Sequence, residues 1–358
     1  MSDILGGQAM ADEPSISRAE IPSPAPQPGS SLSGHLQDLT DRARSYVEAA
    51  NSINTRKAYA SDWKRSSAWC RRSSLSPPHP ATVGLYITAC ASESVDRGAK
   101  ANSVSTIERR LSSISWNYAQ RGLSLDRKDR HIAIVMAGIR NSQGRQPVQK
   151  EAVMATDIIA MLETLDRGTL RGMRDRAMLL IGYTGGLRRS EIVGLDLKAD
   201  QTEDGRGWIE ILDKGMLLTL RGKTGWREVE VGRGSADATC PVAAIETWIK
   251  FAKLAHGPLF RRVTGQGKAV GSERLNDKEI ARLVKRTAMA AGIRGDLPEI
   301  ERQFKLSGHS LRAGLASSAE VDERYVQKQL GHAFAEMIRR YQRRRDRFRV
   351  NLTKASRL

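Results

Sequence analysis

The spacing of apolar residues changes along this chain of 358 residues, and that change limits the folds open to it. Up to about Asn141 apolar residues recur every three or four positions, which is typical of amphipathic helices packed in a bundle. The clearest run is Val104, Ile107, Leu111, Ile114 and Tyr118. After Lys150 helical segments are mixed with short stretches of alternating apolar and polar residues. The sequence therefore predicts a helical domain over 35–141, a linker over 142–150 and an α+β domain over 151–358.

The second domain carries the strand signal. Three segments predict an antiparallel sheet: Trp208–Leu212, Met216–Arg221 and Trp226–Val231. We expect helix starts near Thr156 and Asp157, and at Thr239 before Pro241. Further helices are predicted at Asn276–Ala291, Ser310–Glu320, Glu323–Leu330 and Ala335–Arg345. The predicted fold class is mainly α with a small antiparallel β-sheet.

The charge balance indicates a class of partner. Lys plus Arg total 58 against 40 Asp plus Glu, a net charge of +18, and a polyphosphate is the usual counterpart of so basic a surface. A membrane surface and an ordinary solvated surface are the alternatives. The longest apolar stretches, around Ile132–Ile139 and Ala177–Tyr183, are shorter than the roughly 18 residues of a spanning helix, so we expect no membrane partner.

The remaining composition concerns location and the N-terminus. Cys70, Cys90 and Cys240 are odd in number and match no metal-ligand spacing, so we expect reduced thiols, no metal site and a cytoplasmic protein. No secretory signal is evident at the N-terminus. Residues 1–34 hold five of the twelve prolines and are expected to form a disordered tail.

A lysine lies at the predicted strand turn, in LRGKTGWREVEV. The letters GKT are also part of a nucleotide-binding P-loop, but that motif needs a glycine five positions before Gly222, where Leu217 stands. It also needs a helix after the lysine, and the residues after Lys223 alternate as a strand does. The nucleotide-binding interpretation therefore fails. Taken alone, Lys223 is most simply a solvated turn residue.

Arg188 follows two glycines in GGLRRSEIVGL, which predicts that it begins a helix after a tight turn. A guanidinium there can hold two phosphate oxygens, assisted by the helix N-terminus. The simpler alternative is an ion pair with Glu191, one helical turn later. Arg189 is the neighbour that is easily confused with it.

Two histidines, an arginine and a tyrosine follow near the C-terminus. His309 and Arg312 lie three residues apart in SGHSLRAG, on one face of a helix. His332 follows a glycine in QLGHA, and Tyr341 comes nine residues later in IRRYQRR. The ordinary alternatives are a chance HxxR pair with a structural histidine for His309 and Arg312, a helix C-cap for His332, and a half-buried helix residue for Tyr341.

Together, these motifs resemble the catalytic set of the tyrosine recombinases, the family of the phage integrases and the Xer-like and Cre-like enzymes. The resemblance runs from about Gln37 to the C-terminus, and NTRKAYASDWKRSSAWC is similar to the opening helix of the family's SAM-like core-binding domain. It implies the catalytic residues Arg188, Lys223, His309, Arg312, His332 and Tyr341. Glu191 would steady the site. The twenty residues from Arg312 to His332 are a few fewer than the family's spacing, which leaves nearby helix positions open.

The resemblance also implies the reaction. Tyr341 would attack a scissile phosphate to give a 3′-phosphotyrosyl link, and Arg188 and Arg312 would neutralise the phosphorane. His309 would transfer a proton, and Lys223 would protonate the leaving 5′ oxygen from the minor groove. Because the phosphoester energy is kept in the protein link, no metal, ATP or other cofactor is required.

The implied partners are double-stranded DNA and further copies of the chain, a dimer on each site and a tetramer in the synapse. The segment Arg339 to Leu358 contains nine Lys plus Arg and one Asp. It is expected either to dock into a neighbouring protomer or to contact phosphates as a plain basic tail.

The polar side of the N-terminal helices predicts a DNA-contacting face. Its candidate residues are Arg56, Lys57, Lys64, Arg65, Arg109 and Arg110. The alternative is a helix that its basic residues keep soluble.

Other functions stay open at this point. A type IB topoisomerase shares the phosphotyrosine chemistry, although the SGHSLRAG box and the basic tail argue against it. A catalytically silent DNA-binding protein of the same fold is disfavoured by the presence of all six candidate residues. The low aromatic content, 5%, argues against an RNA-binding protein that stacks single-stranded bases.

Overall fold

The computed structural model describes residues 34–50, 52–76, 79–92, 101–144, 150–222, 225–264, 266–318 and 328–330. The chain divides into two compact units between residues 147 and 148. In the described part, the first unit is all helical and the second contains helices and both sheets, so the predicted fold class is confirmed. No described helix is long and apolar enough to cross a membrane.

The described helices of the first unit agree with the apolar pattern. They are α1 (Gly34–Ala49), α2 (Ile53–Arg72), α3 (Pro80–Ala91), α4 (Val104–Ala119) and α5 (Arg130–Gln143). The predicted stripe on α4 is confirmed, since Ile107, Leu111, Ile114 and Tyr118 are all buried in the core of this unit. α5 extends two residues into the stretch predicted as linker.

Short polar side chains set where three of these helices begin. The Ser52 hydroxyl accepts the Thr55 N–H at 3.2 Å, and the Asp129 carboxylate accepts the His131 N–H at 2.8 Å. Ser103 caps α4 in the same way. Each cap satisfies one of the N–H groups that a helix leaves without a partner in its first turn.

The second unit is built around helix α7 (Leu170–Thr184). The other described helices are α6 (Ala155–Glu163), α8 (Arg189–Val193), α9 (Pro241–Phe251), α10 (Asp277–Ala290), α11 (Glu299–Lys305) and α12 (His309–Ser318), and residues 328–330 are helical as well. The strands are β1 (Leu195–Asp196), β2 (Gly207–Leu212), β3 (Gly215–Gly222), β4 (Gly225–Gly232), β5 (Arg261–Val263) and β6 (Val270–Arg274).

α7 is buried on all sides from Arg174 to Tyr183, which includes charged residues. The Asp175 carboxylate accepts hydrogen bonds from the guanidiniums of Arg174, at 2.7 and 2.9 Å, and of Arg286, at 2.6 Å. A buried charge is tolerated when it is paired in this way. The C-terminal end of α7, which leads into the Arg188 motif, is therefore held firmly in the core.

The larger sheet has the order β1-β2-β3-β4, and the predicted strands match β2, β3 and β4 to within one residue at each end. β2, β3 and β4 pair antiparallel, with Ile209 opposite Leu218 and Leu218 opposite Val229. The sheet is not purely antiparallel, because β1 pairs parallel with β2. β5 and β6 form a second sheet. β1 and β5 are too short to show an alternation, so the sequence did not indicate them.

Two helix starts differ from the prediction. The N-cap of α6 is Met154, two residues before Thr156, and Asp157 lies inside the helix, where its carboxylate accepts the Met154 N–H at 2.8 Å. α9 begins at Pro241 as expected, but the cap is Cys240, whose Sγ accepts the Ala243 N–H at 3.4 Å. In both cases the N-cap lies one or two residues from the nearest residue that composition favoured.

Candidate active site

A glycine turn between α7 and α8 places Arg188. Gly186 has a φ of +57°, in the left-handed region that favours glycine. A Cβ there would lie 2.5 Å from the Leu330 side chain. The chain leaves this turn in an extended conformation at Arg188, which is the N-cap of α8 as predicted. The Arg188 side chain therefore leaves the backbone at the N-terminus of α8, where the partial positive charge of the backbone N–H groups favours a bound anion.

The ion pair between Arg188 and Glu191 is present. The Arg188 guanidinium donates to Glu191 Oε1 at 2.6 Å, and the Arg188 backbone N–H donates to Oε2 at 2.8 Å. The Arg188 side chain is still 34% exposed, whereas that of Glu191 is 4% exposed. Arg188 is thus held at one end by a buried carboxylate and faces solvent with the rest of its guanidinium.

Arg312, on α12, is buried, with 3% of its surface exposed. Its guanidinium donates to the carbonyl oxygens of Gly186 and Leu330. One oxygen belongs to the turn that positions Arg188, and the other lies two residues before His332. Arg312 therefore joins α12 to both segments and has little freedom to reorient.

His309 is the first residue of α12 and is exposed. Partial desolvation lowers the pKa of its imidazole, and the positive charges of Arg189, Arg312 and Arg188 lower that pKa further. Three guanidiniums consequently lie near this imidazole. The ring is mostly neutral at pH 7 in the free protein and can accept a proton there.

Arg189 extends across the start of the SGHSLRAG motif. A Cβ built at Gly308 would lie 2.3 and 2.4 Å from its Cγ and Cδ, so glycine is what allows the aliphatic part of Arg189 to pass. The guanidinium lies 3.7 Å from the Asp277 carboxylate, and 39% of the side chain is exposed. Sequence reasoning set Arg189 aside in favour of Arg188; the structure places both beside His309.

Arg227 is the residue that sequence reasoning missed. Its guanidinium donates to Glu191 Oε2 at 2.8 Å, and its side chain is 14% exposed. On β4 it lies on the same face as the buried residues Val229 and Val231. The sequence did contain a signal for this residue: Arg227 is a charged residue at an inward-facing position of an alternating strand. Such a residue needs a buried partner of opposite charge.

Three of the predicted catalytic residues, Lys223, His332 and Tyr341, lie outside the described residues. Their neighbours are described: β3 ends at Gly222, β4 begins at Gly225, and the helical residues 328–330 approach the site through Leu330. The structure thus brings Arg188, Glu191, His309 and Arg312 together. The positions of the other three remain predictions.

The six candidate DNA-contacting residues belong to the first unit, on α2 and α4. Lys57, Lys64, Arg65 and Arg109 are exposed, and Arg56 and Arg110 are partly buried. Arg109 makes an ion pair with Asp62, which is 1% exposed. Arg110 lies 4.0 Å from the same carboxylate and donates to Cys90 Sγ at 3.0 Å. Arg110 therefore contributes to the packing of its own unit.

The described residues contain no cluster of His, Cys, Asp and Glu that could hold a metal ion. Cys70, Cys90 and Cys240 are buried free thiols. What the site offers is positive charge and one neutral imidazole. Two arginines on different elements, and a histidine whose pKa the charges of both lower, can bind a phosphodiester and move a proton beside it.

Comparison with known proteins agrees with this chemistry. The Phage integrase family profile matches residues 152–347. The integrase/recombinase xerD homolog of Selenomonas ruminantium is 29% identical over 316 residues, which cover 85% of each chain. The tyrosine recombinase XerC 1 of Ralstonia nicotianae is 32% identical over 204 residues, 55% of this chain and 56% of that one.

Among solved structures, the XerH site-specific recombinase bound to a palindromic difH substrate covers 77% of this chain and 70% of its own. It has 17% sequence identity and a TM-score of 0.47. Because the profile spans more than half of the sequence, including Arg188, His309 and Arg312, this chain belongs to the phage integrase family.

Proposed function

We propose that this protein is a site-specific DNA recombinase, which cuts and rejoins double-stranded DNA through a 3′-phosphotyrosyl intermediate. The observation that carries the proposal is the link between the two arginines: Arg312 donates to the carbonyl oxygen of Gly186, two residues before Arg188, and His309 begins the helix of Arg312, within a chain of the phage integrase family. Relatives are named tyrosine recombinases and integrases. The net charge of +18 suits a partner as anionic as DNA.

The proposed reaction is a transesterification. The Tyr341 hydroxyl attacks the scissile phosphorus, the bond to the 5′ oxygen breaks, and that oxygen takes a proton, which we assign to Lys223. Arg188 and Arg312 bind the two non-bridging oxygens, whose negative charge grows as the phosphorane forms. Because these guanidiniums are held by Glu191 and by two carbonyl oxygens, little reorganisation is needed as charge develops.

His309 completes the proposed proton transfers. The neutral imidazole of His309 is suited to accept the proton that Tyr341 loses. Attack by the 5′ hydroxyl of a partner strand reverses the step and releases the tyrosine. The bond energy stays in the phosphotyrosyl link, so the reaction as proposed consumes no ATP and needs no metal. We further propose a dimer on each site and a tetramer during exchange.

A covalent trap tests the chemistry. The protein is incubated, without Mg²⁺ or ATP, with fragmented DNA from its own replicon and quenched in detergent, and the linked fragments are sequenced. We expect adducts at one recurring sequence with the wild type and none with Tyr341→Phe. Tyr183→Phe is the matched control. Burial raises the pKa of Tyr183, whose hydroxyl lies 2.9 Å from that of Ser318, so this variant should still form adducts.

The possible outcomes separate the alternatives. Adducts at scattered positions would favour a type IB topoisomerase, and salt-sensitive binding without any adduct would indicate a catalytically silent DNA-binding protein. An adduct that survives Tyr341→Phe would overturn the choice of nucleophile.

A further inference from the structure

We propose that Arg227 is a positioning residue of the active site, which offsets the charge of Glu191 so that Arg188 keeps its own charge for the scissile phosphate. This inference rests on the proposed function and deepens it. Arg227 is a residue of β4 and would not touch the substrate; it acts through Glu191.

The first support is that both oxygens of the Glu191 carboxylate accept hydrogen bonds. Oε2 accepts the Arg227 guanidinium and the Arg188 backbone N–H, both at 2.8 Å, and Oε1 accepts the Arg188 guanidinium at 2.6 Å. Both oxygens are therefore engaged from different directions. These hydrogen bonds fix the orientation of the carboxylate, and the carboxylate in turn fixes the position of the Arg188 guanidinium.

The second support is the local charge. Glu191 is almost completely buried, and Arg227 is 14% exposed, so their charges are poorly screened by water. Arg188 and Arg227 contribute two positive charges and Glu191 contributes one negative charge, which leaves one positive charge for an anion. Without Arg227, Arg188 and Glu191 would form a neutral pair, and a phosphate would have to compete with a buried carboxylate for the Arg188 guanidinium.

The titration behaviour of Glu191 agrees with this arrangement. Burial raises the pKa of the carboxyl, but the charge of Arg227, followed by the hydrogen bonds and charge of Arg188, outweighs that effect and lowers the pKa overall. The charge of Arg227 is the largest single influence that keeps this carboxylate ionised, and Arg188 adds its own charge and two hydrogen bonds. Its removal would affect Glu191 first and Arg188 as a consequence.

Loss of Arg227 could also slow the reaction in a second way, through Lys223 instead of Arg188. Arg227 lies on β4, which begins two residues after Lys223 in the sequence, so the loss of Arg227 could disturb proton donation to the leaving oxygen. Its guanidinium also reaches the Gln329 carbonyl oxygen, at 3.4 Å. We assign the effect to Arg188 because the contacts to Glu191 are shorter and charged.

Three versions of one DNA site distinguish the routes. The site is the sequence that the covalent trap identifies, and the scissile group is a normal phosphate, a methylphosphonate or a 5′-bridging phosphorothiolate. The methylphosphonate lacks the negative charge that an arginine must neutralise. The phosphorothiolate has a thiolate leaving group that needs no proton donor. Single-turnover formation of the covalent adduct is measured on each substrate.

We expect Arg227→Met to slow adduct formation about 10- to 100-fold on the phosphate, the loss typical of removing a residue that orients a functional group without touching the substrate. The loss should fall below about 3-fold on the methylphosphonate, because that group has no negative charge for Arg188 to neutralise. It should persist on the phosphorothiolate, which keeps the negative charge and changes only the leaving group. Arg227→Lys keeps the charge but not the planar donor pair, so its loss should be intermediate. The double variant Arg227→Met/Glu191→Gln restores the single positive charge and should recover part of the rate.

Arg233→Met is the matched control, since Arg233 follows the same strand and pairs with an exposed glutamate, Glu246, at 2.6 Å. It should retain the wild-type rate on all three substrates. Circular dichroism and thermal unfolding are recorded for each variant. If Arg227→Met does not fold, Arg227→Lys and the double variant carry the test.

If Arg227→Met regained the wild-type rate on the phosphorothiolate but not on the methylphosphonate, Arg227 would act through proton donation by Lys223, and the proposal would be overturned. A normal rate of Arg227→Met on phosphate, with an active wild type, would remove Arg227 from the site and leave the recombinase function intact. Failure of the wild type itself to form an adduct would contradict the proposed function instead.

Discussion

Replacing Glu191 with glutamine tests how much the buried carboxylate contributes to folding. The side chain is 4% exposed and accepts three hydrogen bonds, two from Arg188 and one from Arg227. Glutamine keeps the shape but has one acceptor oxygen and an NH₂ group in place of the second. At least one donor would then face another donor, and two guanidiniums would share a pocket with no negative charge between them.

The expected loss in the free energy of unfolding is about 3 kcal/mol. Removing one partner of a buried ion pair costs about 3–5 kcal/mol, and we take the lower end because the Arg188 side chain is 34% exposed, so that water can replace part of its bond. For a unit of the length of Val148–Leu358, each kcal/mol lowers the Tm by about 2–4 °C, which gives about 6–12 °C here.

The dependence on pH follows from the direction of the pKa shift. The pKa of Glu191 is lowered from its ordinary value of 4.5, so its ionised form favours the folded state. That contribution is fully present above pH 4.5 and is lost as the pH falls through the lower, folded-state pKa. The difference between wild type and Glu191→Gln should be constant from pH 8 to about pH 5.5 and shrink below pH 4.5.

Urea unfolding, followed by circular dichroism at pH 7.5, 5.5 and 4, measures the difference. Glu246→Gln is the control, because Glu246 also pairs with an arginine, at 2.6 Å, but both side chains of that pair are more than a third exposed. We expect a loss below about 1 kcal/mol for Glu246→Gln. Equal losses for the two variants at pH 7.5 would refute the reasoning that burial of Glu191 sets the magnitude.

Two further predictions concern His309 and the first unit. In Arg189→Met the pKa of His309 should rise towards its ordinary value of 6.5, because one of the charges that lower it is gone; NMR titration of the imidazole measures this, and an unchanged midpoint would contradict the placement of Arg189. Lys64→Ala should reduce the slope of the logarithm of the DNA-binding constant against the logarithm of the salt concentration by about one, without changing the Tm. Arg110→Ala should instead lower the Tm, because Arg110 contacts buried Asp62 and Cys90, and equal effects of these two variants would contradict that distinction.

The parts of the fold that the sequence predicted well have local causes. The stripe on α4 and the strands β2, β3 and β4 show their period within a few residues, and the observed bounds differ by at most one residue. Arg188 was correctly placed at a helix start because the two glycines before it mark the turn. Turn chemistry and periodicity are both properties of neighbouring residues, so a single sequence contains them.

The parts that were missed depend on residues far apart in the chain. Arg227 and Glu191 are separated by 36 positions, and the pair exists only because the fold brings a side chain of β4 to one of α8. The ion pair of Arg109 with Asp62 is of the same kind, with 47 positions between its partners. Local patterns mark such residues as charged but do not say which charge they meet. Candidate DNA contacts and structural arginines therefore look alike until the fold is known.

Gly186 shows why the two arginines of the site are coupled. Its left-handed backbone turns the chain so that Arg188 begins α8, and its carbonyl oxygen accepts a hydrogen bond from Arg312. Its missing side chain leaves room for Leu330, whose own carbonyl oxygen accepts a second bond from Arg312. One residue thus meets a conformational, an electrostatic and a steric requirement. A shift of this turn would move the backbone of Arg188 and the carbonyl oxygen that Arg312 binds, so the turn couples the two guanidiniums that we assign to one phosphate.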